Sequence, residues 1–206
     1  MERRGTVKNK NESSNGFKIL IVGFVLVCLI IGYYYYLSNK KAESSEETPV
    51  EITAVQEVLL YDFERSYPPS PKEVVKRFGD ITMCFYNESY TEEEFLALAM
   101  KIQELYDDAL IANKTENQYI EDLRWDVNQM KEQKLQVSSY ATSASTDVDF
   151  FNKDGRECAR LYCSFTIRKG TAITSINEVF ILRKDEDGHW KILGWKPVED
   201  EKQTGI

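Results

Sequence analysis

Glu157-Cys158-Ala159-Arg160-Leu161-Tyr162-Cys163-Ser164-Phe165-Thr166-Ile167-Arg168 is the stretch on which the fold turns. Ala159, Leu161, Cys163, Phe165 and Ile167 share one face of an extended chain, and Arg160, Tyr162, Ser164, Thr166 and Arg168 share the other. An alternation of period two describes a strand buried on one side. Lys169-Gly170 begins a turn, and Thr174–Lys184 reads as the next strand. Asp187-Gly188 then provides a short turn before Trp190–Trp195, a hairpin signal. Upstream, Leu135–Ser145 reads as the first strand of the set, and Asn152–Gly155 as a polar connection to the second. Consecutive strands joined by short turns predict an antiparallel meander of four strands.

Moving toward the N-terminus, the period changes to 3.6. Ser70-Pro71-Lys72-Glu73 has the form of a capping box with proline at the first helical position. Val74, Phe78, Ile81 and Phe85 follow on one face, with Gly79 weakening that helix by up to about 1 kcal/mol relative to alanine. Thr91-Glu92-Glu93-Glu94 starts a second helix, whose stripe runs through Phe95, Leu98, Ala99, Ile102, Leu105, Tyr106 and Ala109. Thr115-Glu116-Asn117-Gln118 starts a third, carrying Tyr119, Leu123, Val127 and Met130. Thr53 to Phe63 has Thr53 and Gln56 in the same capping relation, although Val55–Leu60 also suits a strand. Helices followed by strands predict an α+β fold of about three helices packed on one face of a curved antiparallel sheet.

Further upstream lies a different kind of segment. Ile19 to Asn39 is a run of 21 residues without a charge. At 1.5 Å per residue it spans about 30 Å, a hydrocarbon thickness. Tyr33 to Tyr36 cluster at one end, where amphipathic rings favour the water–lipid boundary. Five basic residues (Arg3, Arg4, Lys8, Lys10, Lys18) against Glu2 and Glu12 precede the run, which favours a cytoplasmic N-terminus. The expected order is a basic cytoplasmic tail (1–18), a transmembrane helix through the lipid bilayer (19–39), an acidic linker (40–52) and an extracytoplasmic domain (53–206). The competing reading is a cleaved signal peptide. It fits less well, because the apolar run exceeds the usual h-region and no small-x-small cleavage site follows closely.

The charges exclude some functions. Of 26 basic and 34 acidic residues, seven and six precede Thr53, leaving 19 basic and 28 acidic groups on the outer domain. Such a domain is no general nucleic-acid binder, and an anionic membrane surface repels it. Its 154 residues suffice to bury about 70% of the unfolded chain's surface around one core.

The order of helices then long strands, closing on Asp187-Gly188-His189-Trp190-Lys191-Ile192 with Trp195, resembles the nuclear-transport-factor-two-like cone fold. Tyr67-Pro68, Ser70-Pro71-Lys72-Glu73-Val74-Val75-Lys76, Cys84-Phe85-Tyr86-Asn87-Glu88 and Leu105-Tyr106-Asp107 are similar to a family of membrane-anchored bacterial proteins with this fold. The resemblance covers roughly residues 53–196. It implies a topology but no activity, because the superfamily hosts many. The fold usually has more than the four strands read here.

Candidate site residues follow from the cone. Tyr106, Trp125, Tyr140, Tyr162, Trp190 and Trp195 are the aromatic residues that would line a concave ligand pocket; filling the helix–sheet interface is the competing role. Asp62, Asp107, Asp126 and Glu178 are the candidate pocket carboxylates, each also suited to a surface or capping role. His189, the single histidine, falls in a turn, away from a cone interior. Cys84, Cys158 and Cys163 read as buried thiols, with a Cys84–Cys158 or Cys84–Cys163 bridge as the alternative. Cys158 and Cys163 face opposite ways in a regular strand. No ligand spacing supports a metal, and no cofactor is expected. Asn87-Glu88-Ser89 and Asn113-Lys114-Thr115 match the glycosylation pattern, which matters only in a eukaryotic secretory host.

These features point to a non-catalytic, extracytoplasmic domain that binds a small ligand or peptide. The alternatives are a structural subunit of a cell-envelope assembly or secretion complex, with self-association into a homo-oligomer, and an enzyme of the ketosteroid-isomerase-like type. A binding domain predicts an open pocket with unsatisfied polar groups, whereas an assembly part predicts a filled interior and a flat apolar patch.

Overall fold

A computed structural model describes residues 29–33, 35–36 and 52–198. The chain divides into two units, residues 1–51 and 52–206. In the first, residues 29–33 and 35–36 are helical. The rest of the expected tail, span and linker lies outside the described residues, apart from Ile52. Among the described residues no helix is long and apolar enough to cross a membrane.

The second unit is α+β, with helices preceding an open antiparallel sheet. The ambiguous first segment is a helix: α1 (Ala54–Leu60) starts on a full capping box between Thr53 and Gln56 and buries Val55. α2 (Pro71–Asn87) starts at Ser70, whose hydroxyl accepts from the Glu73 amide. Only half of the expected box forms there, because the Glu73 carboxylate pairs with Lys76 at 3.1 Å instead. Val74, Phe78, Ile81 and Phe85 are all buried, as the 3.6 period requires.

α3 (Glu92–Gln103) is capped by Thr91 and Glu94 and is shorter than its apolar stripe suggested. After Gln103 the chain leaves the helix to pair with the last strand. The Ile192 amide donates to the Leu105 carbonyl at 2.8 Å, and the Asp107 amide donates to the Ile192 carbonyl at 2.9 Å. A one-turn helix α4 (Asp108–Ile111) follows, capped by Asp107. α5 (Glu116–Glu132) has its box between Thr115 and Gln118.

The sheet has five strands where four were expected: β1 (Gln136–Thr142), β2 (Asp149–Lys153), β3 (Arg156–Lys169), β4 (Ala172–Lys184) and β5 (Trp190–Pro197). The extra strand β2 takes in part of the stretch read as a polar connection. It is exposed throughout, so no apolar alternation marks it. Its turn onto β3 uses Asp154 and Gly155, both at positive φ (53° and 78°), the backbone a two-residue hairpin demands. The meander therefore comprises β2–β5. β1 lies beside β2 along one edge of β3, with β4 on the other edge. Bulges between Val137 and Ser139 and between Ile181 and Leu182 interrupt the ladders, and bulges bend strands.

The face bearing Leu161, Cys163, Phe165, Phe180 and Leu182 packs on α2 and joins buried residues of α1, α3 and α5 in one core cluster. Among the described residues every member of this core cluster lies between Val55 and Ile192, inside the second unit, as an independently folding domain requires.

Candidate functional site

The antiparallel pairing of β3 with β4 sets one wall of the site. Cys163 opposes Glu178, and Phe165 opposes Ile176, so these side chains share the face that carries the core. β4 stays polar-tipped here: Phe180 is fully buried, Ile176 is 42% exposed, and Glu178 sits between them. Trp195, opposite Phe180 on β5, stacks on it at 5.9 Å between centroids and reaches Phe78 at 5.0 Å and Tyr106 at 5.6 Å. Facing this wall, α2 contributes Thr82 and Tyr86, α3 Ile102 and Gln103, and α5 Tyr119, Leu123 and Asp126.

Between them is a cavity of about 590 Å³. That is within the range of roughly 300–1,000 Å³ found for small-molecule sites. Its lining is mainly apolar and aromatic, with a few polar groups placed among them. At its rim Lys114 and Asp122 form an exposed ion pair at 2.6 Å. The Tyr119 hydroxyl donates to the Ala99 carbonyl at 3.2 Å, and Tyr106 packs edge-on to the Tyr119 ring at 6.5 Å.

Besides Asp122 at the rim, two carboxylates, Asp126 and Glu178, face the cavity. Among the described residues neither Glu178 nor Asp126 has a hydrogen-bond or ion-pair partner. No fully buried side-chain nitrogen or oxygen among these residues lacks a partner, so the Glu178 oxygens open onto the cavity space. Burial holds the Glu178 carboxyl above the usual range. Burial, followed by the charge of Asp122, does the same for Asp126, opposed by Lys114. The Tyr86 hydroxyl is pushed up to about 12 by burial, then by Asp126 and Glu178. The Cys163 thiol, across the ladder from Glu178, also rises to about 12, again first by burial.

A model of a family described as a domain of unknown function (DUF6715) matches residues 7–195. The chain belongs to that family. The DUF6715 match ends on Trp195, so the whole cavity lining lies inside it. Comparison with curated proteins returns no match.

In this DUF6715 chain the six aromatic candidates divide. Tyr106 and Trp195 line the cavity. Trp125 does not: it stands 63% exposed on the outer side of α5, two residues from both Leu123 and Val127 and hence on the opposite face. Tyr162 has the wrong strand parity and is 48% exposed on the far face of β3. Tyr140 packs instead against α2, its hydroxyl donating to Asp80 Oδ1 at 2.6 Å. Trp190 is buried beyond the cavity, against Phe150 of β2 at 5.7 Å.

Of the four carboxylates, Asp126 and Glu178 reach the cavity. Asp62 caps a turn through the Glu64 and Arg65 amides. Asp107 caps α4 and pairs with Arg183. Tyr86 and Tyr119 belong to the lining but stand outside the aromatic set read from the sequence. Tyr119 shares the helix face of Leu123 and Val127, four and eight positions on, which was the available signal; Tyr86 has no buried residue three or four positions away, so local spacing did not mark it.

His189 lies in the β4–β5 turn, as its sequence position suggested. Its amide donates to Asp185 Oδ1 at 2.8 Å, and its ring stacks on Tyr67 at 4.3 Å. Donor atoms of Asp185, Asp187 and His189 lie within 4.8 Å of one another, but Asp185 and the imidazole ring are committed to holding the turn. Cys84, Cys158 and Cys163 are free and buried, and neither alternative bridge forms.

Proposed function

We propose that this chain is a single-pass, membrane-anchored protein whose outer unit, a nuclear-transport-factor-two-like domain, binds a small ligand and does not turn it over. In this reading residues 19–39 span the bilayer and the N-terminus stays in the cytoplasm. The observation that carries it is the cavity of about 590 Å³ in which two carboxylates, Glu178 and Asp126, stand without hydrogen-bond or ion-pair partners among apolar and aromatic walls. Buried or half-buried polar groups without partners cost stability, typically about 1–3 kcal/mol each. A fold tolerates that cost where a ligand later supplies the partners. A purely structural role in an envelope assembly predicts instead a filled interior.

The test is native mass spectrometry of residues 52–206, purified without denaturant, beside a Leu123→Trp variant that fills the cavity. Bound small-molecule mass on the parent domain, lost in the variant, supports the reading. An empty parent domain that also fails to bind any member of an amphipathic small-molecule panel overturns it. Protease added to intact cells should digest residues 53–206 if the anchor runs as proposed; protection of that segment overturns the topology.

A further inference from the structure

Resting on the ligand-binding reading, we propose that the cavity selects a ligand with a protonated amine on an aromatic or alkyl body, the ammonium seated against Glu178. Three features of the wall carry this. First, Glu178 projects from β4 into the cavity, and among the described residues nothing neutralises it. Second, the lining holds three carboxylates, Asp122, Asp126 and Glu178, against one ammonium, Lys114, and that ammonium is already paired with Asp122 at the rim. An anionic ligand would enter a wall of its own sign, while a cation finds two unneutralised carboxylates. Third, the same lining holds aromatic residues, Tyr86, Tyr106 and Trp195 among them, whose electron-rich rings and hydroxyl oxygens favour an ammonium over a neutral group. The apolar remainder, including Ile102, Leu123 and Phe165, suits a hydrocarbon body and not a polyamine, which needs charge along its length.

The inference separates from the ligand-binding reading by experiment. Residues 52–206 are titrated calorimetrically with three matched series at pH 8: phenethyl, naphthylmethyl and decyl groups, each ending in an amine, an alcohol or a carboxylate. The amine of at least one series should bind about tenfold or more tightly than its alcohol, and its carboxylate should bind most weakly. In Glu178→Gln, the preference of amine over alcohol should shrink to about twofold or less, with alcohol affinity kept. If alcohols or carboxylates bind as well as amines, the charge selection fails while the ligand-binding reading survives. If no member of any series binds, both fail. A Glu178→Gln domain that keeps the full amine preference moves the selecting charge away from Glu178 and overturns the assignment.

Discussion

The hydroxyl-bearing end of the Tyr140 ring packs directly on the backbone of Gly79: a Cβ on that glycine would come within 2.8 Å of Cε1, Cζ and Cε2. From there the hydroxyl donates to Asp80 Oδ1 at 2.6 Å, with the Lys76 carbonyl 2.9 Å away. This contact docks β1 onto α2 and explains a glycine that local helix propensity disfavours.

Gly79→Ala should therefore destabilise residues 52–206 by about 1–2 kcal/mol. The ring must shift, at a cost of about 1–3 kcal/mol, against a propensity gain of at most about 1 kcal/mol. Urea unfolding measures it. The double variant Gly79→Ala/Tyr140→Ala should cost less than the sum of the single changes, because the clash disappears with the ring. A stabilised Gly79→Ala would show that the glycine is not kept for this packing.

Asp107 joins three elements. It accepts from the Ala109 amide at 2.9 Å to start α4, its own amide donates to Ile192 of β5, and its carboxylate takes two bonds from Arg183 of β4. Burial raises its carboxyl, but the bonds from Arg183 and Ala109 outweigh burial and leave it below the usual range. Its contribution is thus present above the unfolded carboxyl's value and lost as pH falls through the lower folded value. Asp107→Asn should cost about 2–4 kcal/mol at neutral pH, since it leaves the Arg183 guanidinium without its anionic partner, although asparagine keeps the cap. Part of that difference should vanish below about pH 4, seen as a flatter acid limb in denaturation midpoints.

Glu178 has the opposite sign. Burial raises its folded value above the unfolded one, so this group's contribution is most favourable below the unfolded value and falls as pH rises toward the folded value. The titratable groups coupled to it are Cys163 on β3 and Tyr86 on α2, with Asp126 on α5 acting on the same tyrosine. Glu178→Gln should raise stability of the ligand-free domain at pH 8 by about 1 kcal/mol and leave it nearly unchanged at pH 4. Thermal midpoints at the two pH values decide it; equal destabilisation at both would mean that Glu178 is held by structural contacts.

Trp125→Ala and Tyr162→Ala should each change stability by less than about 0.5 kcal/mol, because both rings face solvent. Trp195→Ala should weaken binding of the calorimetric probe amine by about tenfold, since that ring is part of the cavity wall. Comparable losses from Trp125→Ala would relocate the site to the outer side of α5.

Local chemistry alone determined much of this protein. Hydroxyls of Thr53, Ser70, Thr91 and Thr115 start four helices where the capping pattern placed them. The two-residue alternation of β3 named its buried face, because side-chain direction in a strand follows from parity alone. The α+β class follows from those two periods in that order. What tertiary structure decided was what competes for the same groups. The α3 stripe stops at Gln103 because Leu105–Asp107 gain hydrogen bonds from Ile192, some 87 positions away, which no local pattern encodes. β2 carries no apolar alternation and exists because Arg156–Arg160 offers it an edge. The cavity itself arises where Glu178 and Asp126, two of the four carboxylates put forward from the sequence, and Tyr86, which was not, are brought to one space by the register of β3 on β4 and the placement of α2 and α5. Burial of a polar group is a property of what surrounds it, and the surroundings come from the whole chain.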